Sequence, residues 1–465
     1  MTERNCFTEV QGFLRLESEA IAKTATRLQA SEIERVVQLL RRARVHDPQT
    51  SRSLVPTPRP APDLPDHLPD FIVAIDGSNA EVPVKNGYPG ARVGYCTVAS
   101  VLLNLKEVNR LDEQRPVNPR DFRRTEEAAA IDAALPGTNV VTRDHSSARA
   151  AFRESIFEVF TDVIVDEEDR TRLIETYEVL LAQKPQGRGQ ECPYESDGCD
   201  QHVVIANGLS SCSCSKRRPV YSTDGLRIHE AFRDFGTNGE AFGEVMQVWE
   251  RVLLVHLLRC FERRGWLAQV GRLAFFLDGP LAVFGHPAWL SAAIEGELKR
   301  LNAIVRRETG TDLIIIGVEK SGTFVEHLND IDNTEMPGEN LFGPRSYMML
   351  TDQYIKTRIV YSDSPKRYGV DTYFGRKFFY KTRSGALIVG NIPYLTDDQD
   401  TLATDDIEPY KQFGTACALL DALVSSRFAN AVSPLVSAHA HAAIPLRIGA
   451  RVLEQLARAL MRREE

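Results

Sequence analysis

Two short apolar runs, each closed by Asp-Gly, constrain this chain more than any other feature. Phe71 to Ile75 leads into Asp76-Gly77-Ser78, and Leu273 to Leu277 leads into Asp278-Gly279-Pro280. An unbroken apolar run of strand length, bounded by Pro69 and Gly77, reads as a strand buried on both faces inside a helix-covered sheet. Sites in such sheets form at the carboxyl ends of the strands, and an acid there is poorly solvated unless positive charge balances it. Each Asp therefore either opens a turn before Gly or helps to hold a cation. Two acids behind equivalent runs favour the cation.

The remaining pattern builds an α/β domain around these runs. A second strand is expected over about residues 91–105, after a turn through Gly87, Pro89 and Gly90. Thr237 and Glu240 form a capping-box signature ahead of the amphipathic run Val245 to Glu262, which stops at Gly265. Pro287 to Glu308 reads as a helix and Leu313 to Val318 as a third buried strand, so strand and helix alternate as in a mainly parallel sheet. Tyr373 to Lys381 and Ala386 to Ile392 read as a hairpin turning at Ser384-Gly385, followed by helix over 408–463.

Residues 106–238 have a weaker pattern and read as an insertion, with helical stretches near 125–135 and 147–182 and a Cys-rich loop at 190–218. Residues 1–50 read as a helical arm, with apolar positions from Phe13 to Leu40 at three- and four-residue steps. Six prolines from Pro56 to Pro69 make 51–69 a stiff linker, and the main domain occupies 70–465.

Charge narrows the partners. With 56 Lys and Arg against 64 Asp and Glu the net charge is -8, which argues against coating nucleic acid over the whole surface and leaves a local contact. No apolar stretch approaches the roughly 20 residues of a spanning helix, and the charged start has no signal-peptide core, so a cytoplasmic protein without membrane contact is expected. No GxxxxGK[ST] loop is present to power the chain with its own nucleotide.

A third acid follows from geometry. The helix over 245–262, packed beside the Asp278 strand, runs antiparallel to it. Six strand residues at ~3.3 Å span about 20 Å, which a helix at ~1.5 Å per residue covers in about thirteen residues. Counting back from Arg263 reaches Glu250. Glu250 is either a solvated carboxylate or the third ligand beside Asp76 and Asp278. Three carboxylates suit Mn2+ or Mg2+, and such sites perform in-line displacement at phosphorus, which points to phosphodiester hydrolysis.

These residues resemble the NurA nucleases. The resemblance rests on the strand ending Asp76-Gly77-Ser78, Glu250 on the helix before Asp278-Gly279-x-Leu281, the segment Gly317-Val318-x-Lys320, and a C-terminal helix with Pro434 and Ala440-His441. It covers about residues 70–445 apart from the insertion. It implies an α/β, RNase H-like mixed sheet flanked by helices, and a manganese-dependent nuclease that processes DNA ends as a homodimer with a hexameric HerA-type translocase. It assigns the metal to Asp76, Glu250 and Asp278, a basic role to Lys320 and a catalytic role to His441. Two departures stand out. Ser433 occupies the family's Tyr position, which shifts a tyrosine role to Tyr410 or elsewhere, and His439 lies two residues before His441. Asp352 and Tyr354 are further candidates. The rival reading is a non-catalytic DNA-binding or adaptor subunit of a translocase complex, in which the acids are structural.

Cys192, Cys199, Cys212 and Cys214 fall within 23 residues, a set that either closes a zinc site, with His202 as a substitute ligand, or remains free or redox-active thiols. Lys216, Arg217 and Arg218 follow directly, where a rigid knuckle could offer them to phosphate. Lys366-Arg367, Arg376-Lys377, Lys381 and Arg383 alternate with Tyr368, Tyr373, Phe374, Phe378, Phe379 and Tyr380. That stretch either tracks single-stranded DNA or buries its aromatics and leaves its charges available.

Overall fold

In the computed structural model the two apolar runs lie side by side as parallel strands in the middle of a mixed sheet. The structure describes residues 55–443, apart from 85–89, 109–125, 143–144, 167–169, 186, 188, 333–339, 400–401 and 425–431. The helical arm expected over 1–50, and the helix expected beyond 443, lie outside the described residues.

Nine strands form the sheet among the described residues: β1 Arg59–Pro60, β2 Phe71–Pro83, β3 Arg92–Asn104, β4 Glu126–Pro136, β5 Leu273–Asp278, β6 Ile315–Glu319, β7 Ser346–Met349, β8 Gly375–Lys381 and β9 Leu387–Pro393. Their order is β1-β7-β8-β9-β6-β5-β2-β3-β4, with β2–β5 and β5–β6 parallel and the other pairs antiparallel. An antiparallel β2-β3-β4 meander with β5 and then β6 added in parallel beside β2 is the RNase H-like arrangement. Side chains alternate along the central strands: Ile72, Ala74, Ala274 and Phe276 enter one core, and Ile75, Phe275 and Leu277 the other. The second core is covered by α1 Ala148–Asp162, α2 Leu173–Leu181, α3 Gly239–Arg263 and α4 Leu290–Thr309, and the first by α5 Phe413–Leu423 and α6 Ser433–Ala442.

Several expectations are corrected. The sheet is mixed rather than mainly parallel, because only the β2–β5 and β5–β6 pairs run parallel, and β2 does not stop at Asp76. It continues to Pro83 in unbroken register with β3, while its pairing with β5 ends at Ile75 opposite Leu277. The expected helix near 125–135 is β4, paired with β3 from Val93 opposite Pro136 to Leu103 opposite Glu126. Its Ala- and Glu-rich sequence has helix propensity, but the unpaired edge of β3 supplies a ladder that overrides it. Part of the weakly patterned stretch over 106–238 is therefore a strand of the main sheet. The proline-rich linker is tied down in part, since Arg59–Pro60 pairs with β7 at the sheet edge, where a missing N–H is tolerated.

The charges on β8 are not left available, although Arg383 in the turn that follows is exposed. β8 lies between β7 and β9 and is buried throughout: Lys377 pairs with Glu319, Lys381 lies 2.7 Å from Asp332, and Arg376 donates to the carbonyls of Leu350 and Thr404. Lys366 is exposed and faces Asp371 at 3.3 Å.

The packing of α3 on β3 makes one position diagnostic. A Cβ added to Gly94 would lie 2.4 Å from Cε1 and Cζ of Phe242, which is fully buried. Gly94→Ala is expected to lower unfolding free energy by about 1–3 kcal/mol in denaturant titration, through overpacking. An unchanged midpoint would mean that α3 rides higher on the sheet.

Candidate functional site

The register that sets Leu277 opposite Ile75 brings Asp278, the last residue of β5, beside Asp76. Lys320 directly follows β6 and sends its ammonium between them, 2.8 Å from Asp278 Oδ1 and 3.3 Å from Asp76 Oδ2. The Asp76 side chain is 1% exposed, whereas those of Asp278 and Lys320 are 29% and 27% exposed, so solvent approaches from the Asp278 side. Burial and the neighbouring Asp76 raise the Asp278 carboxyl pKa, against the pull of Lys320. Burial lowers that of Lys320, but the two carboxylates outweigh it and the net shift is upward.

Helix α6 closes this face. Ser78 Oγ donates to the carbonyl of Ala442 at 2.7 Å, and His439 Nδ1 lies 3.2 Å from Asp76 Oδ2. The hydrogen bond to Asp76 raises the His439 pKa, against desolvation.

Glu250 arrives from the opposite face, on α3. It packs against the β2 backbone at Gly77, where an added Cβ would lie 2.8 Å from Glu250 Oε1 and 2.8 Å from Met246 Cγ. Glycine at 77 thus leaves room for the carboxylate one residue beyond Asp76. The next residue, Arg251, is buried and donates to Glu250 Oε2, to the carbonyls of Asp278 and Pro280 at 3.1 Å each, and to that of Ala282 at 3.3 Å. It ties Glu250 to the turn that carries Asp278. Burial lowers its pKa to about 10, even with Asp278 and Asp76 nearby.

Of the residues singled out in the sequence, Asp76, Asp278 and Lys320 converge directly, while Glu250 reaches only the adjoining glycine and pairs with Arg251, so the three carboxylates do not gather within 4.8 Å of one another. His439 is the histidine that meets Asp76. His441 is exposed, and two helical steps of about 100° turn it to a different side of α6. Ser433 is the first residue of α6 and Tyr410 is buried in the core on that side of the sheet. Asp352 accepts from the Tyr368 N–H at 2.6 Å and pairs with Lys356 at 2.8 Å, and Tyr354 meets His327 at 2.8 Å, so both are engaged locally. Arg251 and Gly77 were not foreseen as parts of the site. The signal for Arg251 was a Glu-Arg pair within an otherwise apolar stretch of α3, where an unpaired charge is costly.

In the Cys-rich stretch the hairpins Gln190–Glu191 with His202–Val203 and Leu209–Ser211 with Pro219–Tyr221 bring Cys192, Cys199 and Cys212 together, while His202 stays exposed. Lys216 and Arg217 are exposed, and Arg218 pairs with Asp197 at 2.8 Å and stacks on Tyr194.

This fold and site define an RNase H-like domain with two aspartates set where adjacent parallel strands part. The family model of the NurA domain matches residues 71–394, and the chain belongs to the NurA family, which is a nuclease family. Among solved structures, one titled "Crystal structure of NurA" is 10% identical, with 89% of this chain and 94% of that chain covered and a TM-score of 0.25. Another, titled "Crystal structure of NurA with manganese", is 11% identical, with 92% and 98% covered and a TM-score of 0.27. No curated protein matches the chain. Among the described residues no helix is long and apolar enough to cross a membrane.

Proposed function

We propose that this chain is a divalent-metal-dependent deoxyribonuclease that hydrolyses phosphodiester bonds at DNA ends. The observation that carries the reading is the pair Asp76 and Asp278, from adjacent parallel strands, sharing one ammonium group. A position that gathers an ammonium between two carboxylates suits a cation, and Gly77 leaves space for the Glu250 carboxylate beside it. Asp76, Asp278 and Glu250 would hold Mn2+ or Mg2+ through hard oxygen donors. Such an ion, when bound, activates water and stabilises charge on the leaving oxygen. Lys320, released from the two acids, takes a phosphate oxygen. His439 steadies Asp76 from 3.2 Å, and His441, on another side of the same helix, keeps the catalytic role that the resemblance implies. A homodimer fed by a hexameric HerA-type ATPase, working in repair or in defence against foreign DNA, completes the proposal and supplies the motor that the chain's own sequence does not encode.

The test is cleavage of end-labelled linear DNA by the purified chain, with manganese or with chelator, with and without the partner ATPase. Cleavage that needs manganese supports the nuclease. DNA binding without cleavage under every condition would favour the adaptor reading. Gly77→Ala separates the role of Glu250, because the new methyl group displaces that carboxylate. The manganese concentration for half-maximal cleavage is expected to rise about 10- to 100-fold. An unchanged requirement would remove Glu250 from the ligand set.

A further inference from the structure

We propose that Cys192, Cys199, Cys212 and Cys214 hold one zinc ion that staples the two small hairpins of the Cys-rich stretch. The sulfurs of Cys192 and Cys212 lie 3.4 Å apart and those of Cys199 and Cys212 3.6 Å apart, and all three thiols are buried within 4.8 Å of one another. Four thiolates at about 2.3 Å from a tetrahedral zinc have sulfurs about 3.8 Å from one another, so the three need only spread slightly to accept the ion. Cys214 supplies the fourth donor. It is half-buried two residues along from Cys212 and lies outside the group of three sulfurs, so its side chain must turn in to complete the set.

The backbone adds a donor at the centre of the group: the N–H of Cys214 donates to Cys212 Sγ at 3.4 Å. A donor aimed at sulfur orients it, as outer-shell groups do around a bound metal. The need for such a staple is also visible. Between residues 190 and 218 the regular structure amounts to short strands and one short 3-10 turn, which carry little core of their own. A single ion joining Cys192 and Cys199 of one hairpin region to Cys212 and Cys214 of the other fixes Tyr194. Arg153 stacks on that ring at 4.3 Å while pairing with Asp224 at 2.6 Å, so the knuckle is bolted to α1. Lys216 and Arg217 then project from a rigid turn.

Full-length protein purified without chelator is expected to contain about one zinc per chain by elemental analysis. Cys199→Ser and Cys212→Ser should lose it, whereas the double variant Asp76→Asn/Asp278→Asn should keep it, which separates this site from the carboxylates. Since a buried serine could disturb folding, the half-buried Cys214→Ser and cobalt exchange of the native chain provide a second reading: cobalt should give a thiolate-to-metal charge-transfer band that weakens in Cys214→Ser. Zinc absent both on isolation and after incubation of reduced protein with zinc overturns the proposal. So does zinc that follows the aspartates rather than the cysteines, or a disulfide within this set in protein isolated without reductant.

Discussion

Asp76→Asn and Asp278→Asn are each expected to lower manganese-dependent cleavage of linear DNA by on the order of 10²- to 10³-fold, the scale lost when one preorganised charge is removed from a reacting centre. Asparagine keeps the shape of the acid and removes its charge. In either variant Lys320 retains one carboxylate partner, 2.8 Å or 3.3 Å away, so the strand ends should stay in place. Initial rates measured at saturating manganese, beside far-UV circular dichroism and DNA binding in chelator, separate lost chemistry from lost structure. Binding should persist or tighten, since one negative charge near the phosphate is gone. If both variants cleave at the parent rate, the carboxylates are not where the reaction occurs.

Arg251→Met has the largest expected effect on stability. The guanidinium is buried and answers a carboxylate and three carbonyls, so its removal strands Glu250 without its partner. Breaking a buried pair from one side costs about 3–5 kcal/mol, and denaturant titration should show a loss of that size. Adding Glu250→Gln to the same chain removes the unpaired charge and should recover part of the loss, giving a coupling that a double-mutant cycle reads directly. A single-variant loss below about 1 kcal/mol would mean that Arg251 is not the tie between α3 and the Asp278 turn.

These two experiments address residues that differ in how far sequence revealed them. Asp76 and Asp278 were legible because an acid after five apolar residues is anomalous at any buried strand end. Glu250 was reachable by counting rises along an antiparallel helix. Arg251 was hidden, because its role lies in carbonyls of the Asp278–Ala282 turn that only folding brings beneath it. That His439 is the histidine meeting Asp76 depends on the seating of α6, which Ser78 fixes through the Ala442 carbonyl.

The fold divides in the same way. Continuous apolar runs determined the central strands β2, β5 and β6, because a strand covered on both faces needs apolar side chains at every position. Local sequence also determined α3 and the hairpin of β8 and β9, through periodicity and turn chemistry. Only the tertiary structure decided that Glu126–Pro136 is a strand and that Lys377 and Lys381 are buried. Propensity at β4 is worth a few tenths of a kcal/mol per residue, less than pairing the open edge of β3, and a lysine in an interior strand is stable only against an acid from another element, Glu319 or Asp332. Strand partners and ion-pair partners are distant in sequence, so no local pattern encodes them.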